Sequence, residues 1–191
     1  MLKYWPRLLL ASSIILVGCT STISAVSERP INPDRSRPSV GTHIDDIQLE
    51  TVIGVNIKKA NSLLDNSSHV NVNAYNRVIL LTGEVPTDEM RTLAGTTARN
   101  VRGIRQVHNE LQIRGSSSLL SRTRDSWLTT KVKTKLINDP EIKSNNIEVI
   151  TESRVVYLMG IVTRREGDRV ASVASNTAGA QSVVKVFEYL D

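Results

Sequence analysis

Cys19 is the residue whose position points most clearly to chemistry, because it is the only cysteine and it follows an export-type N-terminus. Lys3 and Arg7 precede a short apolar stretch, residues 8–17, and a small residue, Gly18, stands next to the expected cleavage point. The apolar stretch is too short to span a bilayer, which needs about 20 apolar residues. The pattern predicts a secretory signal peptide, residues 1–18, that is removed before Cys19.

The run Leu16-Val17-Gly18-Cys19 resembles the lipobox of bacterial lipoproteins. The resemblance implies cleavage before Cys19, lipid attachment (palmitate among the acyl chains) to its thiol and amine, and a membrane-tethered mature protein. Lipoproteins retained at the inner membrane usually carry aspartate at the next position, where this chain has Thr20, so the resemblance implies the periplasmic face of the outer membrane. The alternative is an ordinary secretory signal followed by a chance cysteine.

Export and a lipid-bearing cysteine narrow the possible partners and the means of stabilisation. An acylated thiol cannot form a disulfide, so the fold must be held together by core packing, although an oxidising compartment would permit bridges. Cytosolic nucleic acid, nucleotides and most metabolic cofactors are excluded as partners by export. Removal of Lys3 and Arg7 with the signal peptide reduces 24 basic residues to 22, against 19 acids, and this small excess of +3 says little by itself. The position of the basic residues is more informative.

A second candidate site surrounds Trp127. Five basic residues and one acid fall within positions 122–135. At 100° per residue, a helix through this segment places Trp127 beside Lys131 on the flank of its core stripe, next to Thr130 and Thr134. An exposed tryptophan beside lysines is the composition of a surface that faces lipid headgroups. We therefore expect an anionic phospholipid of the phosphatidylglycerol type to bind Arg124, Trp127, Thr130, Lys131, Lys133 and Lys135.

Two other interpretations of this cluster remain open at this point. Trp127 could fill a gap between two domains, and lysines on a helix are commonly just a solvated face. Salt would distinguish lipid binding from protein binding, because binding to an anionic surface weakens steeply with ionic strength whereas an apolar protein interface barely changes.

No combination of residues predicts catalysis or a metal site. His43, His69 and His108 are scattered along the chain, and no second cysteine accompanies Cys19. The sequence contains no G-x-S-x-G elbow, no P-loop and no paired nucleophile and base. The serines at 116–118 have the composition of a linker. The adjacent aspartates at 45–46 indicate the start of a helix, not a catalytic pair. We therefore expect a protein that is not an enzyme and that uses no cofactor and no metal.

The elements that must carry these residues occur twice, at an offset of 79 to 76 residues. An apolar helical stripe opens each unit, two β-type runs follow, and a glycine and a valine precede a last strand. The first unit contains Leu49, Ile53, Ile57, Val70, Val72, the run 77–83, Gly103 and Val107. The second contains Leu128, Val132, Leu136, Ile147, Val149, the run 154–160, Gly179 and Val183.

Local signals predict where the elements begin and end. Asp45 and Asp46 suit the N-terminus of the first helix, and Gly83 is expected to end the second strand. The segment Thr163-Arg164-Arg165-Glu166 predicts a capping box at the second helix of the second unit. Turns are expected at 75–76 and, with φ > 0, at the helix ends marked by Gly103 and Gly179. The last strands are expected at 107–113 and 183–190.

These elements define an α+β fold with two tandem units. Each unit has the order helix, strand, strand, helix, strand (αββαβ), with two helices packed on one face of a three-stranded mixed sheet. The last strand, 183–190, is apolar on both faces, so the two units are expected to pack together. The predicted divisions are a signal peptide (1–18), an acylated N-terminus and tether (19–44), a first domain (45–114), a linker (115–122) and a second domain (123–191).

The repeat resembles the BON domain, and two such units behind a lipobox resemble the dual BON-domain outer-membrane lipoproteins. The segment 125–133 is the most specific part of the resemblance. The family resemblance implies a non-catalytic periplasmic protein that binds anionic phospholipid through the first helix of its second BON domain, supports outer-membrane integrity and gathers at the division septum. The alternative is a protein-binding adaptor of the machinery that assembles outer-membrane proteins.

Overall fold

A computed structural model describes residues 34–115 and 119–191, in which Arg35–Asp191 form one compact unit. The predicted signal peptide, the predicted acylation site Cys19 and the tether up to residue 33 lie outside the described residues. The α+β fold and its αββαβ repeat are confirmed. Within the described part of the chain, no helix is both long enough and apolar enough to cross a bilayer.

The first domain contains three helices and a mixed sheet. Strand β2 pairs antiparallel with β1 and parallel with two short pieces, β3 and β4, of one interrupted edge strand. A short helix after the first one was not predicted. The bounds are α1 (Val40–Ala60), α2 (Ser62–Asn66), β1 (His69–Tyr75), β2 (Val78–Val85), α3 (Asp88–Arg99), β3 (Gln106–Asn109) and β4 (Gln112–Ile113).

The second domain repeats this order with an uninterrupted edge strand. Strand β6 pairs antiparallel with β5 and parallel with β7. Its first helix starts at Leu119, inside the segment predicted as a linker. The bounds are α4 (Leu119–Ile137), a 3₁₀ turn (Ser144–Asn146), β5 (Ile147–Glu152), β6 (Val155–Val162), α5 (Arg164–Ser175) and β7 (Ser182–Tyr189).

Each domain has its own aliphatic core between its helices and one face of its sheet. The inward stripes of α1 and α4 are buried as predicted, against alternate residues of the central strands β2 and β6. This alternation follows from the two-residue period of a strand. The stripes consist of Leu49, Ile53 and Ile57 in the first domain and Leu128, Val132 and Leu136 in the second.

The predicted start of the first helix is wrong, and the reason is structural. Helix α1 begins at Val40, where the Ser39 hydroxyl accepts a hydrogen bond from the Thr42 N–H at 3.1 Å. Asp46 therefore lies inside the helix and is buried. Its two carboxylate oxygens accept hydrogen bonds from the backbone N–H groups of Asn76 and Arg77, at 2.8 and 2.7 Å, in the turn between β1 and β2.

The second domain contains the same arrangement, in which a buried aspartate of the first helix binds the hairpin turn, and we call it an aspartate latch. Asp125 is buried in α4 and accepts hydrogen bonds from the N–H groups of Ser153 and Arg154, at 2.7 and 2.8 Å. Both turn residues have positive φ, 53° and 65°, as do their counterparts in the first domain. Non-glycine residues rarely adopt this conformation, so the turn needs support from its surroundings. The aspartate carboxylate gives that support, because it accepts from both N–H groups and connects the hairpin to the helix.

Three smaller predictions are also corrected. Gly83 does not end its strand, because β2 continues to Val85 with Gly83 paired to Val70. The first hairpin turn lies at residues 76–77, one position later than predicted. Thr163 caps α5 as predicted, but the Glu166 carboxylate accepts a hydrogen bond from the N–H of Lys143 at 2.9 Å instead of closing a capping box. The positive φ values of Gly103 and Gly179 are confirmed.

The two domains pack sheet against sheet. Leu80 of the first domain is buried in one cluster with Tyr157, Met159 and Val186 of the second. The prediction that the second face of the last strand is covered by the other unit is therefore confirmed. Each sheet therefore has its helices on one face and the sister sheet on the other.

Polar contacts surround this apolar cluster. The Arg105 guanidinium donates to both carboxylate oxygens of Glu188, at 2.6 and 3.0 Å. The Tyr75 hydroxyl donates to the Asn146 carbonyl oxygen at 2.9 Å. The Asn71 amide donates to the Glu152 carboxylate at 2.9 Å. Hydrogen bonds of this kind satisfy polar groups that the packing removes from water and fix the register of the two sheets.

Glu152 gives this interface a pH dependence. Burial raises the pKa of its carboxyl group, and the neighbouring charges of Glu84 and Asp125 raise it further. Because the folded protein holds this proton more tightly than the unfolded chain, the free energy of unfolding falls as the pH rises above about 4, where glutamate ionises in the unfolded chain, and through the folded pKa. Glu152→Gln keeps an acceptor for Asn71 and should reduce this loss, measured by urea unfolding at a series of pH values.

The matched control is Glu141→Gln, because Glu141 is an exposed acid of the same domain. The expectation for Glu152 is contradicted if its variant loses as much stability as the unmodified protein over the same pH range.

Candidate lipid-binding surface

Trp127 lies on the outer face of α4, with 65% of its surface exposed. The inward side of the same helix is closed by its buried leucines and valine, and the interface between the domains is formed by the sheets. The interpretation of Trp127 as a filler between the two domains is therefore wrong. An indole held on a rigid helix and left exposed is free to contact another molecule.

The outermost line of α4 is formed by Trp127, Thr130, Thr134 and Ile137. It is locally apolar although two of these residues are threonines. The Thr130 hydroxyl donates to the Ser126 carbonyl oxygen at 3.0 Å, and the Thr134 hydroxyl donates to the Thr130 carbonyl oxygen at 2.9 Å. Ile137, 69% exposed, continues the line. Ile137 was not among the residues predicted from the sequence, although its spacing from Trp127 places it on the same helical face. Satisfied hydroxyls and two exposed apolar side chains suit contact with a lipid surface.

Lys131 and Lys135 lie on the flank nearer α5 and are engaged within the domain. Their ammonium groups donate to the carbonyl oxygens of Ala178 at 2.9 Å and Asn176 at 3.0 Å, just beyond the C-terminal end of α5. Cations are stabilising at this negative end of a helix. An ammonium group has three donors, so each lysine retains donors for a phosphate oxygen.

Arg124 and Lys133 are the two predicted cations whose side chains form no hydrogen bond to any residue that the structure describes. Both are exposed on α4. Burial raises the pKa of the nearby Glu148 carboxyl group, the charge of Glu50 raises it further, and the positive charge of Lys133 lowers it. The structure thus brings all six predicted residues onto one helix and separates them into an uncharged outer line and charged flanks.

The equivalent surface of the first domain has different chemistry. Gln48 and Val52 stand where the repeat places Trp127 and Lys131. They line a pocket of about 390 Å³ between α1 and the turn that follows α3. The first domain therefore has no aromatic and basic cluster at this position, as the sequence indicated. Among the described residues, no group of three or more histidine, cysteine, aspartate or glutamate side chains could hold a metal ion.

The chain belongs to the BON-domain family. The family model, described as "BON domain", matches twice, at residues 45–115 and 124–191. Together the two matches contain both αββαβ units and the α4 surface.

The chain is also similar to curated relatives over most of their length. The chain is 35% identical over 187 residues to "Outer membrane lipoprotein DolP" of Haemophilus influenzae, covering 96% of this chain and 95% of the relative. It is 34% identical to "21 kDa hemolysin" of Actinobacillus pleuropneumoniae, over 85% and 81%. It is 28% identical to "Osmotically-inducible protein Y" of Escherichia coli, over 90% of each chain. These similarities support a dual BON-domain, non-catalytic outer-membrane lipoprotein.

Proposed function

We propose that the protein is a non-catalytic lipoprotein of the outer membrane that faces the periplasm and binds anionic phospholipid through α4. Acylation of Cys19 would hold it at the bilayer, and the described domains would then engage headgroups. In this role it would support outer-membrane integrity, with enrichment at the division septum. The observation that carries the proposal is the exposed Trp127 on an uncharged helical line flanked by cations.

The energetics of such a contact are adequate for a tethered protein. Each basic residue near an anionic surface contributes about 1 kcal/mol, and an inserted indole contributes on the order of 2 kcal/mol. Arg124 and Lys133 supply two cations with no internal hydrogen bond, and the two capping lysines supply two more. A lipid anchor raises the effective concentration of the headgroups, so a weak intrinsic affinity is sufficient.

Trp127→Glu tests the proposal directly. We expect binding to phosphatidylglycerol micelles to weaken roughly thirtyfold or more, because the variant loses about 2 kcal/mol of indole insertion and adds a repelled charge. The measurement is a micelle titration of the chain from residue 20 onward, followed by amide NMR, which also shows whether α4 is the helix that is contacted.

The matched control is Leu63→Glu, which places the same charge at an exposed leucine of the first domain and should leave binding unchanged. Lys133→Ser is a cleaner charge test than Lys131→Ser, because Lys131 also bonds to a carbonyl oxygen of its own domain. Undiminished binding by the Trp127 variant would refute the assignment. A chain that binds no phosphatidylglycerol micelles even at low ionic strength would favour the protein-binding adaptor instead.

A further inference from the structure

The chain just before α1, which was predicted as tether, is folded onto the second domain. Ser36 is only 4% exposed, although it stands ahead of the start of α1 at Val40. Its hydroxyl accepts a hydrogen bond from the side-chain amide of Asn146 at 2.7 Å. The Arg37 guanidinium donates through Nε to the side-chain oxygen of Asn146, also at 2.7 Å. Residues 35–39, which we call the strap, therefore bind the second domain before the chain enters the first.

Asn146 is the residue at which the strap and both domains meet. It is 3% exposed and lies in the 3₁₀ turn that leads into β5. Its backbone carbonyl oxygen accepts a hydrogen bond from the Tyr75 hydroxyl of the first domain at 2.9 Å, so the strap uses only its side chain. A buried side-chain amide needs partners for both its oxygen and its nitrogen. The strap supplies both of these partners.

The neighbouring Asn145 shows that residue type alone does not produce this contact. It is exposed, and its side chain forms no hydrogen bond to any residue that the structure describes. Two asparagines in succession thus differ in their surroundings, since one faces solvent and the other binds two residues of the strap. The pair offers a substitution and its control at adjacent positions.

We propose that the strap is a clasp that fixes the lipid-anchored end of the chain to the second domain. Without this contact, the tether would enter the folded unit only at α1, which belongs to the first domain. With it, the point of attachment is the 3₁₀ turn, which contacts α4. The anchor is then joined to the domain that carries the candidate lipid-binding surface. The consequence for lipid binding rests on the proposed function, whereas the docking of the strap does not.

The clasp also shortens the free chain between the anchor and α4. Residues 20–34 can span at most about 50 Å, and release of the strap would lengthen this reach and move the attachment point to the other domain. The effective concentration of a tethered group falls as its linker lengthens. A docked strap therefore keeps α4 in contact with the bilayer for a larger fraction of the time.

Trypsin tests the docking of the strap without any lipid. The enzyme cleaves after arginine except before proline, so it can cut Arg35–Ser36, whereas Arg29–Pro30 and Arg37–Pro38 resist. Asn146→Ala removes both hydrogen bonds to the strap. In the chain from residue 20 onward, we expect this change to speed cleavage after Arg35 roughly tenfold or more, because cleavage follows the population of the undocked strap. Mass spectrometry of the product that begins at Ser36 gives the rate.

Asn145→Ala is the matched control and should be cleaved like the unmodified chain. Ser36→Ala removes one hydrogen bond from the strap side and should speed the same cleavage severalfold, which keeps the test valid if the Asn146 variant unfolds. Circular dichroism shows whether each variant is folded. Equal cleavage rates in all folded variants would overturn the proposal. Cleavage of the unmodified chain as fast as that of the urea-unfolded chain would overturn it as well.

Fluorescence of Trp127 tests the consequence for lipid binding. The chain from residue 19 onward contains one cysteine, Cys19, and one tryptophan, Trp127. Coupling of Cys19 to a maleimide lipid, in vesicles that contain phosphatidylglycerol, stands in for acylation. Insertion of the indole shifts its emission to shorter wavelength. Asn146→Ala should lower the ratio of inserted to free indole roughly twofold or more in the coupled chain, and should leave vesicle binding of the uncoupled chain unchanged.

The outcomes distinguish the clasp from the lipid contact itself. Equal insertion by the coupled variant and the coupled unmodified chain would overturn the clasp. Weaker binding by the uncoupled variant would also overturn it, because Asn146 would then act on α4 directly. Absence of insertion in every coupled chain would instead refute the lipid contact of the proposed function, and the trypsin result would still decide whether the strap is docked.

Discussion

Replacing Asp125 with alanine is expected to lower the free energy of unfolding of the second domain by about 3 kcal/mol, because charge-assisted hydrogen bonds contribute about 1.5–3 kcal/mol each and their buried partners are left unsatisfied. The carboxylate is buried and accepts from two backbone N–H groups of the hairpin turn. Both turn residues, Ser153 and Arg154, have positive φ. Without the carboxylate, two donors are orphaned at a turn that is already strained.

The neighbouring pair in the first domain supplies an internal comparison. Asp46→Ala removes the equivalent latch and should have a similar effect, whereas Asp45→Ala removes an exposed ion pair with Arg77 and should change stability by about 1 kcal/mol or less. Urea unfolding followed by circular dichroism measures all three variants. Equal effects of the Asp45 and Asp46 variants would contradict the latch.

Gly83→Ala should destabilise the first domain by about 4 kcal/mol or more, which is among the larger effects of single substitutions. Gly83 has φ of 109°, where only glycine is comfortable, and it lies within β2. A β-carbon built there would meet the His69 carbonyl oxygen at 1.9 Å. Because the obstacle is backbone of the paired strand β1, relief requires the two strands to separate.

The same substitution at Gly54 should have the opposite sign. Gly54 lies inside α1, and a β-carbon there would meet nothing within 4 Å. Alanine in an exposed helix interior is more favourable than glycine by about 0.5–1 kcal/mol, so Gly54→Ala should stabilise the domain. Urea unfolding of the Gly83 and Gly54 variants measures the change in the free energy of unfolding for each. A Gly83 variant as stable as the unmodified chain would refute the strain at that position.

The repeat, the element order and the inward faces could be predicted because burial imposes a period on the sequence. The spacing of Leu128, Val132 and Leu136 indicates the buried side of a helix, and this inference does not require knowing what packs against that side. The helix starts could not be predicted in the same way. Asp46 has the composition of a helix start, but its role depends on a turn about thirty residues further along the chain. A local signal cannot distinguish a carboxylate that caps from one that latches.

The candidate site was likewise predictable from the sequence only in part. Spacing placed Trp127 and the lysines together on one helix, but it could not decide whether the indole was covered. Nor could it show that Lys131 and Lys135 bond to carbonyl oxygens more than forty positions away. Val40, Ile44 and Ile47 are exposed on α1 and were visible in the sequence. They were not singled out because a helix with two apolar sides gives no clear amphipathic signal.

The twin aspartate latches and the apolar interface stabilise this chain at two different levels. Each half fixes its own hairpin turn to its own first helix, through Asp46 in one and Asp125 in the other. Either half on its own would expose side chains that are now buried between the domains, among them Leu80, Tyr157 and Met159. An isolated half would therefore keep its local geometry but present a bare apolar sheet to water, which favours aggregation.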